Sequence, residues 1–367
     1  MTFLDRAFWR RKSVFLTGHT GFKGGWLTTW LLDMGARVYG YALSPDTDPS
    51  YFALCGLEEG MTSVIGDVRD AVALAETVRA SKAEIVFHCA AQPLVRRSYD
   101  QPAETFATNA LGTVNMLEAV RLSGSVKAVV VVTSDKCYEN GNSPWGYREI
   151  DQLGGHDPYS ASKACAEIIC AAYRRSFFEG TNSSASLATV RAGNVIGGGD
   201  WSEDRIVPDA VKAFTRGTPL LVRNPTSVRP WQHVLEPLAG YLRLAQRLYC
   251  DGSSYAGAWN FGPNEENAIP VSTLASTMVR HWGGKAGWRP GESTRALHEA
   301  NYLRLDCGKA RSLLGWRSQM PFEDAIEMTV RWYRAAIAQT TGNMNAISRE
   351  QIYAYEERVE RGANEVH

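Results

Sequence analysis

The run Ser13–Val14–Phe15–Leu16–Thr17 passes at once into Gly18, Gly21 and Gly24, and then into a helix-compatible stretch, Trp26–Met34. A short β-branched run that turns on glycine into a helix offers backbone N–H groups at the helix N-terminus, where a dinucleotide pyrophosphate is bound. The glycines serve a tight turn, close approach of backbone to phosphate, and the start of the helix. Gly18, Thr20, Gly21, Phe22, Lys23 and Gly24 are therefore the candidate cofactor loop.

The same alternation continues. Short runs at Arg37–Ala42, Thr62–Ile65, Ile85–Cys89, Ala128–Thr133 and Ser186–Arg191 alternate with helical stretches at Asp70–Ser81, Ala103–Leu122 and Ser160–Phe178. Apolar runs near Val86 and Val129–Val132 lack a polar face, which suits strands buried on both sides of a parallel sheet, with ligand at their carboxyl ends. The expected fold is α/β, a Rossmann-type doubly wound parallel sheet, with a smaller mixed α/β C-terminal region. Residues 1–190 form the dinucleotide domain, with parts of 207–260 returning to it. Residues 191–340 form the substrate region, with helices expected at Val207–Thr215, Pro237–Leu248 and Phe322–Ala335, and 341–367 are a polar, loosely ordered tail.

Lys plus Arg and Asp plus Glu number 39 each, with no long run of one sign, which argues against nucleic acid or an anionic membrane as partner. The N-terminal residues lack the apolar core of a secretory signal, and no apolar run reaches membrane-spanning length, so a cytoplasmic protein is expected. Seven scattered cysteines without CxxC spacing read as reduced thiols, and no metal site is assigned.

Further cofactor contacts are expected at strand ends. Asp67 could accept from the adenine amino group with Val68 lining the ring, or the pair could simply end a strand in a turn. Ala90 and Ala91 are small enough to let a dinucleotide pass. The second strand ends without the acidic residue that holds the ribose hydroxyls of NAD and without an arginine for a 2′-phosphate; Asp46 or Asp48 could substitute, and NAD is preferred. Tyr159 and Lys163, four apart, share a helix face behind Pro158. A free phenol has a pKa of about 10, and a nearby ammonium and a cationic nicotinamide favour phenolate. Ser134 is suited to the same substrate hydroxyl. Asp135 and Lys136 exceed what alcohol oxidation needs and would serve acid/base work on neighbouring carbons.

On the strings Thr17–Gly18–His19–Thr20–Gly21–Phe22–Lys23–Gly24, Thr133–Ser134–Asp135–Lys136–Cys137–Tyr138 and Arg191–Ala192–Gly193–Asn194–Val195–Ile196–Gly197–Gly198–Gly199–Asp200–Trp201, the chain resembles the extended short-chain dehydrogenase/reductases that modify nucleotide sugars, in their 4,6-dehydratase branch. The resemblance implies NAD as cofactor, CDP-glucose as substrate, a homo-oligomer, and a product used in deoxysugar and surface polysaccharide synthesis. It implies Asp135 as the acid for the C6 hydroxyl and puts Lys136, where the wider family has Glu, at the C5 base position. A lysine there needs a lowered pKa. It also implies that Asn194, Arg205, Arg229, His233 and Tyr302 line the nucleotide and its phosphates. A nucleotide-sugar 4-epimerase and a non-catalytic dinucleotide sensor are the alternatives.

Overall fold

The computed structural model describes residues 3–141, 143–180, 185–291, 303–338 and 343–364. Its central sheet comprises β1 (Ser13–Thr17), β2 (Arg37–Ala42), β3 (Thr62–Ile65), β4 (Ile85–His88), β5 (Ala128–Val132), β6 (Ser186–Arg191) and β7 (Gly257–Asn260). All neighbours pair in parallel, in the order β7-β6-β5-β4-β1-β2-β3. Strand order reverses between β1 and β4, which opens a crevice at their carboxyl ends. β1 and β5 are buried at every position because their alternate residues enter two different cores. Val14, Leu16 and Val130 pack on one face, while Phe15, Val129 and Val131 pack on the other.

Four helices carry the site: α1 (Phe22–Asp33), α2 (Ala71–Ser81), α3 (Gly112–Ser123) and α4 (Pro158–Tyr173). Asp70 caps α2 by accepting from the N–H groups of Val72 and Ala73. Asp157 caps α4 by accepting from Ser160 N at 2.9 Å, and Pro158 sits in its first turn. The helix expected over Ala103–Leu122 is present as one continuous run, Pro102–Phe106 passing through a wider π-type turn over Ala107–Leu111 into α3. The wide turn aims Asn109 at the loop after β4: its Oδ1 accepts from Gln92 N at 2.8 Å and its Nδ2 donates to Ser162 Oγ at 2.8 Å.

The second half contains α5 (Ile206–Thr215), α6 (Leu235–Asp251), α7 (Val271–Trp282) and α8 (Phe322–Ala338). It returns to the sheet through β7, and α6 packs on β5 and β6. The loosely ordered tail expected from the polar composition is a helix, α9 (Asn345–Asn364). Ile352, Tyr355 and Val359 recur every three or four residues and are buried. Trp30 Nε1 of α1 donates to Glu356 Oε1 at 2.8 Å, and Arg6 bridges Asp33 and Glu356 at 2.8 Å each.

Candidate active site

The turn between β1 and α1 is shaped by two different demands on its glycines. Gly18 has φ +77°, and a Cβ there would lie 2.7 Å from Ala90 N; a Cβ on Gly24 would lie 2.0 Å from the Gly18 carbonyl oxygen. Both positions exclude any side chain. Gly21 has an ordinary φ of −84°, and its Cβ would meet only Gly18 O at 3.5 Å. A Cβ there would point to the open side of the loop without strain, so glycine at this position serves only to let another group approach the backbone closely. No side chain caps α1, which leaves its first N–H groups for an anion. The loop therefore fits a dinucleotide pyrophosphate.

Around it, Thr20 Oγ1 donates to Leu43 O at 2.9 Å, joining the loop to the chain after β2. Ala90 N donates to Thr17 Oγ1 at 3.1 Å, and that hydroxyl meets His88 Nδ1 at 2.7 Å. Burial brings His88 down to about 3, with the Lys163 charge adding to it, so the imidazole is neutral. Ala90 and Ala91 are half-buried. Asp67 accepts from its own neighbour, Arg69, through Nε at 2.8 Å and the backbone N at 2.8 Å, and Arg69 holds it below the usual carboxylate range. These bonds are those of a strand-ending turn. Val68 is buried, with Gly112 close against it. Asp46 is exposed and 3.7 Å from Arg97.

At the other side of the crevice, β5 runs through Thr133 into one 3₁₀ turn, Asp135–Cys137. Ser134 Oγ donates to Asp135 Oδ1 at 3.0 Å and accepts from Lys136 N at 3.2 Å. Burial pushes Tyr159 up to about 12 against the opposing effects of Ser134 and the Arg205 charge. Lys163 Nζ donates to Val132 O at 3.2 Å. Burial, then the Lys23 charge, brings Lys163 down to about 8; burial, then the Arg205 charge, brings Lys23 down to about 8 as well. Asp135 is 4% exposed. It fits because residue 193 is glycine: a Cβ there would lie 1.8 Å from Asp135 Oδ2. Lys136 is half-buried. Ser134, Asp135, Tyr159, Lys163, Lys23 and Arg205 thus converge on one place.

The remaining expected residues divide. Asn194 follows Gly193 in a left-handed conformation, φ +49°, with its carbonyl accepting from Gln232 N at 3.2 Å. Arg205 donates to Asp200 Oδ2 at 2.7 Å. Arg229 is half-buried on a strand, Val228–Pro230, paired antiparallel with Ala268–Pro270. His233 does not reach the cleft surface. The short pair of Gln232–His233 with Val195–Ile196 turns its ring inward, fully buried and edge-on to Trp26 with centroids 5.9 Å apart, and burial brings it down to about 3. Tyr302 lies outside the described residues.

The sequence reading missed a buried ion pair, Arg191–Glu167, at 2.7 Å. Its one visible signal is the spacing of Tyr159, Lys163 and Glu167 every four residues along α4, a single helical stripe. Among the described residues no cluster of three or more His, Cys, Asp or Glu side chains is placed to hold a metal, and all seven cysteines are unpaired.

Comparison with known proteins matches residues 15–329 to the family model described as GDP-mannose 4,6 dehydratase. A CDP-glucose 4,6-dehydratase of Salmonella typhimurium is 52% identical over 338 residues, covering 91% of this chain and 94% of the relative. A dTDP-glucose 4,6-dehydratase of Streptomyces antibioticus is 30% identical over 76% of this chain and 77% of its own. The crystal structure of a dTDP-glucose 4,6-dehydratase from Streptomyces venezuelae with NAD bound superposes with a TM-score of 0.72, at 25% identity, over 88% of this chain and 97% of that one.

Proposed function

The chain belongs to the GDP-mannose 4,6-dehydratase family, and from that membership we propose that it is an NAD-dependent hydro-lyase converting CDP-D-glucose into CDP-4-keto-6-deoxy-D-glucose. The carrying observation is the Ser134–Asp135 turn, which puts a buried carboxylate on the Ser134 hydroxyl, both close enough to Tyr159 to act on its phenol. A 4-epimerase has no use for a second acid at that point.

NAD, when bound, would supply the hydride acceptor for C4 and the hydride donor for C6. We assign its binding to Gly18, Thr20, Gly21, Phe22, Lys23 and Gly24 with Asp67, Val68, Ala90 and Ala91. Tyr159 takes the proton of the C4 hydroxyl, with Ser134 holding that oxygen. Burial and the Asp135 and Asp157 charges oppose phenolate formation, while Ser134 and the Arg205 charge favour it; to Lys163, one helical turn along α4, we assign the ammonium that brings Tyr159 into use. Once C4 is a ketone the C5 hydrogen is acidic. Lys136 takes that proton, Asp135 gives a proton to the C6 oxygen, and the C6–O bond breaks with loss of water. A proton returns to C5 as hydride reaches C6, so substrate and product differ by one water and no oxidant is consumed.

We assign the nucleotide and its phosphates to Asn194, Arg205 and Arg229, arginine's planar fork being suited to phosphate. A cytoplasmic, self-associating enzyme accords with two features. No helix among the described residues is long and apolar enough to cross a membrane. Leu122 of α3 and Ile168 of α4 are more than half exposed on neighbouring helices.

The test is incubation of the protein and NAD with CDP-glucose, dTDP-glucose, UDP-glucose and GDP-mannose in turn, followed by mass spectrometry. Loss of one water from CDP-glucose in preference to the others is expected. Isomerisation without a change of mass would make the protein an epimerase, and no reaction with any of the four would leave a dinucleotide-binding fold without this chemistry.

A further inference from the structure

Resting on the dehydratase reading, we propose that Glu167 and Arg191 are positioning residues for the elimination half of the reaction, their buried pair clamping both ends of the turn that carries Ser134, Asp135 and Lys136. Each side chain is 3% exposed. The two meet in a fork, Arg191 Nε to Glu167 Oε1 at 2.9 Å and Nη2 to Oε2 at 2.7 Å.

The turn is tied to this pair at both flanks. Before it, Thr133 Oγ1 donates to Glu167 Oε1 at 2.5 Å. After it, Arg191 Nη1 donates to Tyr138 Oη at 2.6 Å, and that hydroxyl donates on to Asn260 Oδ1 at 2.8 Å. Thr189 Oγ1 donates to Glu167 Oε2 at 2.7 Å, so both carboxylate oxygens already accept two bonds. The pair acts through the turn rather than on the substrate.

Stability alone is a weak reason for it. Taking two charges out of water carries a cost that their attraction at best offsets, and a well-packed apolar pair of similar volume often does as well or better. What the pair provides is direction. Glu167 lies one helical turn beyond Lys163 on α4, and Arg191 ends the strand that leads to Gly193, against which the Asp135 carboxylate fits. Of the oxidation residues, Tyr159 and Lys163 are held by α4 itself and only Ser134 lies at the turn, whereas both elimination residues, Asp135 and Lys136, depend on it. Loosening its ties therefore slows water loss more than C4 oxidation.

The experiment uses the full chain loaded with NAD and compares Thr133→Val, Thr133→Ser and Tyr138→Phe with the unaltered protein on CDP-glucose. In Thr133→Val and Tyr138→Phe, kcat for water loss falls about tenfold or more with KM held within about twofold. Reduced nicotinamide then accumulates during turnover, seen by its near-ultraviolet absorbance, because oxidation outruns elimination. Thr133→Ser keeps the hydroxyl and restores the original balance.

Thermal melts by circular dichroism accompany each variant. If Thr133→Val melts early, Tyr138→Phe at the opposite flank carries the comparison. Oxidation and elimination falling in parallel, or neither changing, overturns the clamp. Absence of water loss in the unaltered protein overturns the dehydratase reading and the clamp with it, whereas water loss with unchanged partitioning overturns the clamp alone.

Discussion

Lys163 stands where burial and the Lys23 charge both work against its proton, and it is brought down to about 8. Tyr159, pushed up to about 12, needs a neighbouring cation to act as a base. The rate should therefore fall as pH rises past about 8 and Lys163 loses its charge. Lys23→Met removes the like charge, so Lys163 keeps its proton longer and the alkaline limb of kcat against pH moves up by roughly half a unit or more. Profiles at saturating NAD check this, and a limb that stays in place rules out the coupling. That Ser134, Asp135, Tyr159 and Lys163 would come together was legible because they lie in short strings at a strand end and a helix start. Glu167 and Arg191 were not, because each is unremarkable in its own segment and the pairing exists only once β6 lies beside α4. The full burial of His233 was not legible, because a two-residue strand carries no alternation to tell which way a side chain turns.

At the level of elements, β1, its turn and α1 act as one unit, and the glycines can be separated by experiment. Gly24→Ala drives a methyl into the Gly18 carbonyl oxygen at 2.0 Å, so the turn must open, at a cost of about 1–3 kcal/mol. A lower melting temperature and weaker NAD binding are both expected. Gly21→Ala meets only ordinary contact within the protein, so its melt without NAD is unchanged and only NAD affinity, measured by calorimetry, falls. Equal melting losses in both would refute the distinction. The strands were legible from apolar runs that needed no polar face. The π-type turn over Ala107–Leu111 was not, because it goes with Asn109 bonding to Gln92 and Ser162, contacts that no helical periodicity encodes. The last helix was hidden for the opposite reason: a sparse apolar stripe set among charged residues.

Across the whole molecule, Glu236 joins segments distant in sequence. It lies on α6 beneath the sheet, fully buried. Its Oε1 accepts from Gln319 N at 2.8 Å and Met320 N at 2.5 Å, and its Oε2 accepts from Tyr355 Oη of α9 at 3.1 Å. Burial pushes its carboxyl from 4.5 up to about 7. The folded chain therefore holds this proton more tightly than the unfolded chain does, and the stabilisation is complete below 4.5 and lost as pH rises through about 7. A shift of that size corresponds to roughly 3 kcal/mol. Glu236→Gln keeps the acceptor for the two N–H groups, offers Tyr355 a donor, and does not titrate. Its stability relative to the unaltered protein, from denaturant unfolding, should rise by up to about that amount across the window 4.5 to 7. A difference that stays flat with pH would mean that the carboxylate is not sealed off by Tyr355, and that the last helix is not the closing piece of the interior behind the catalytic sheet.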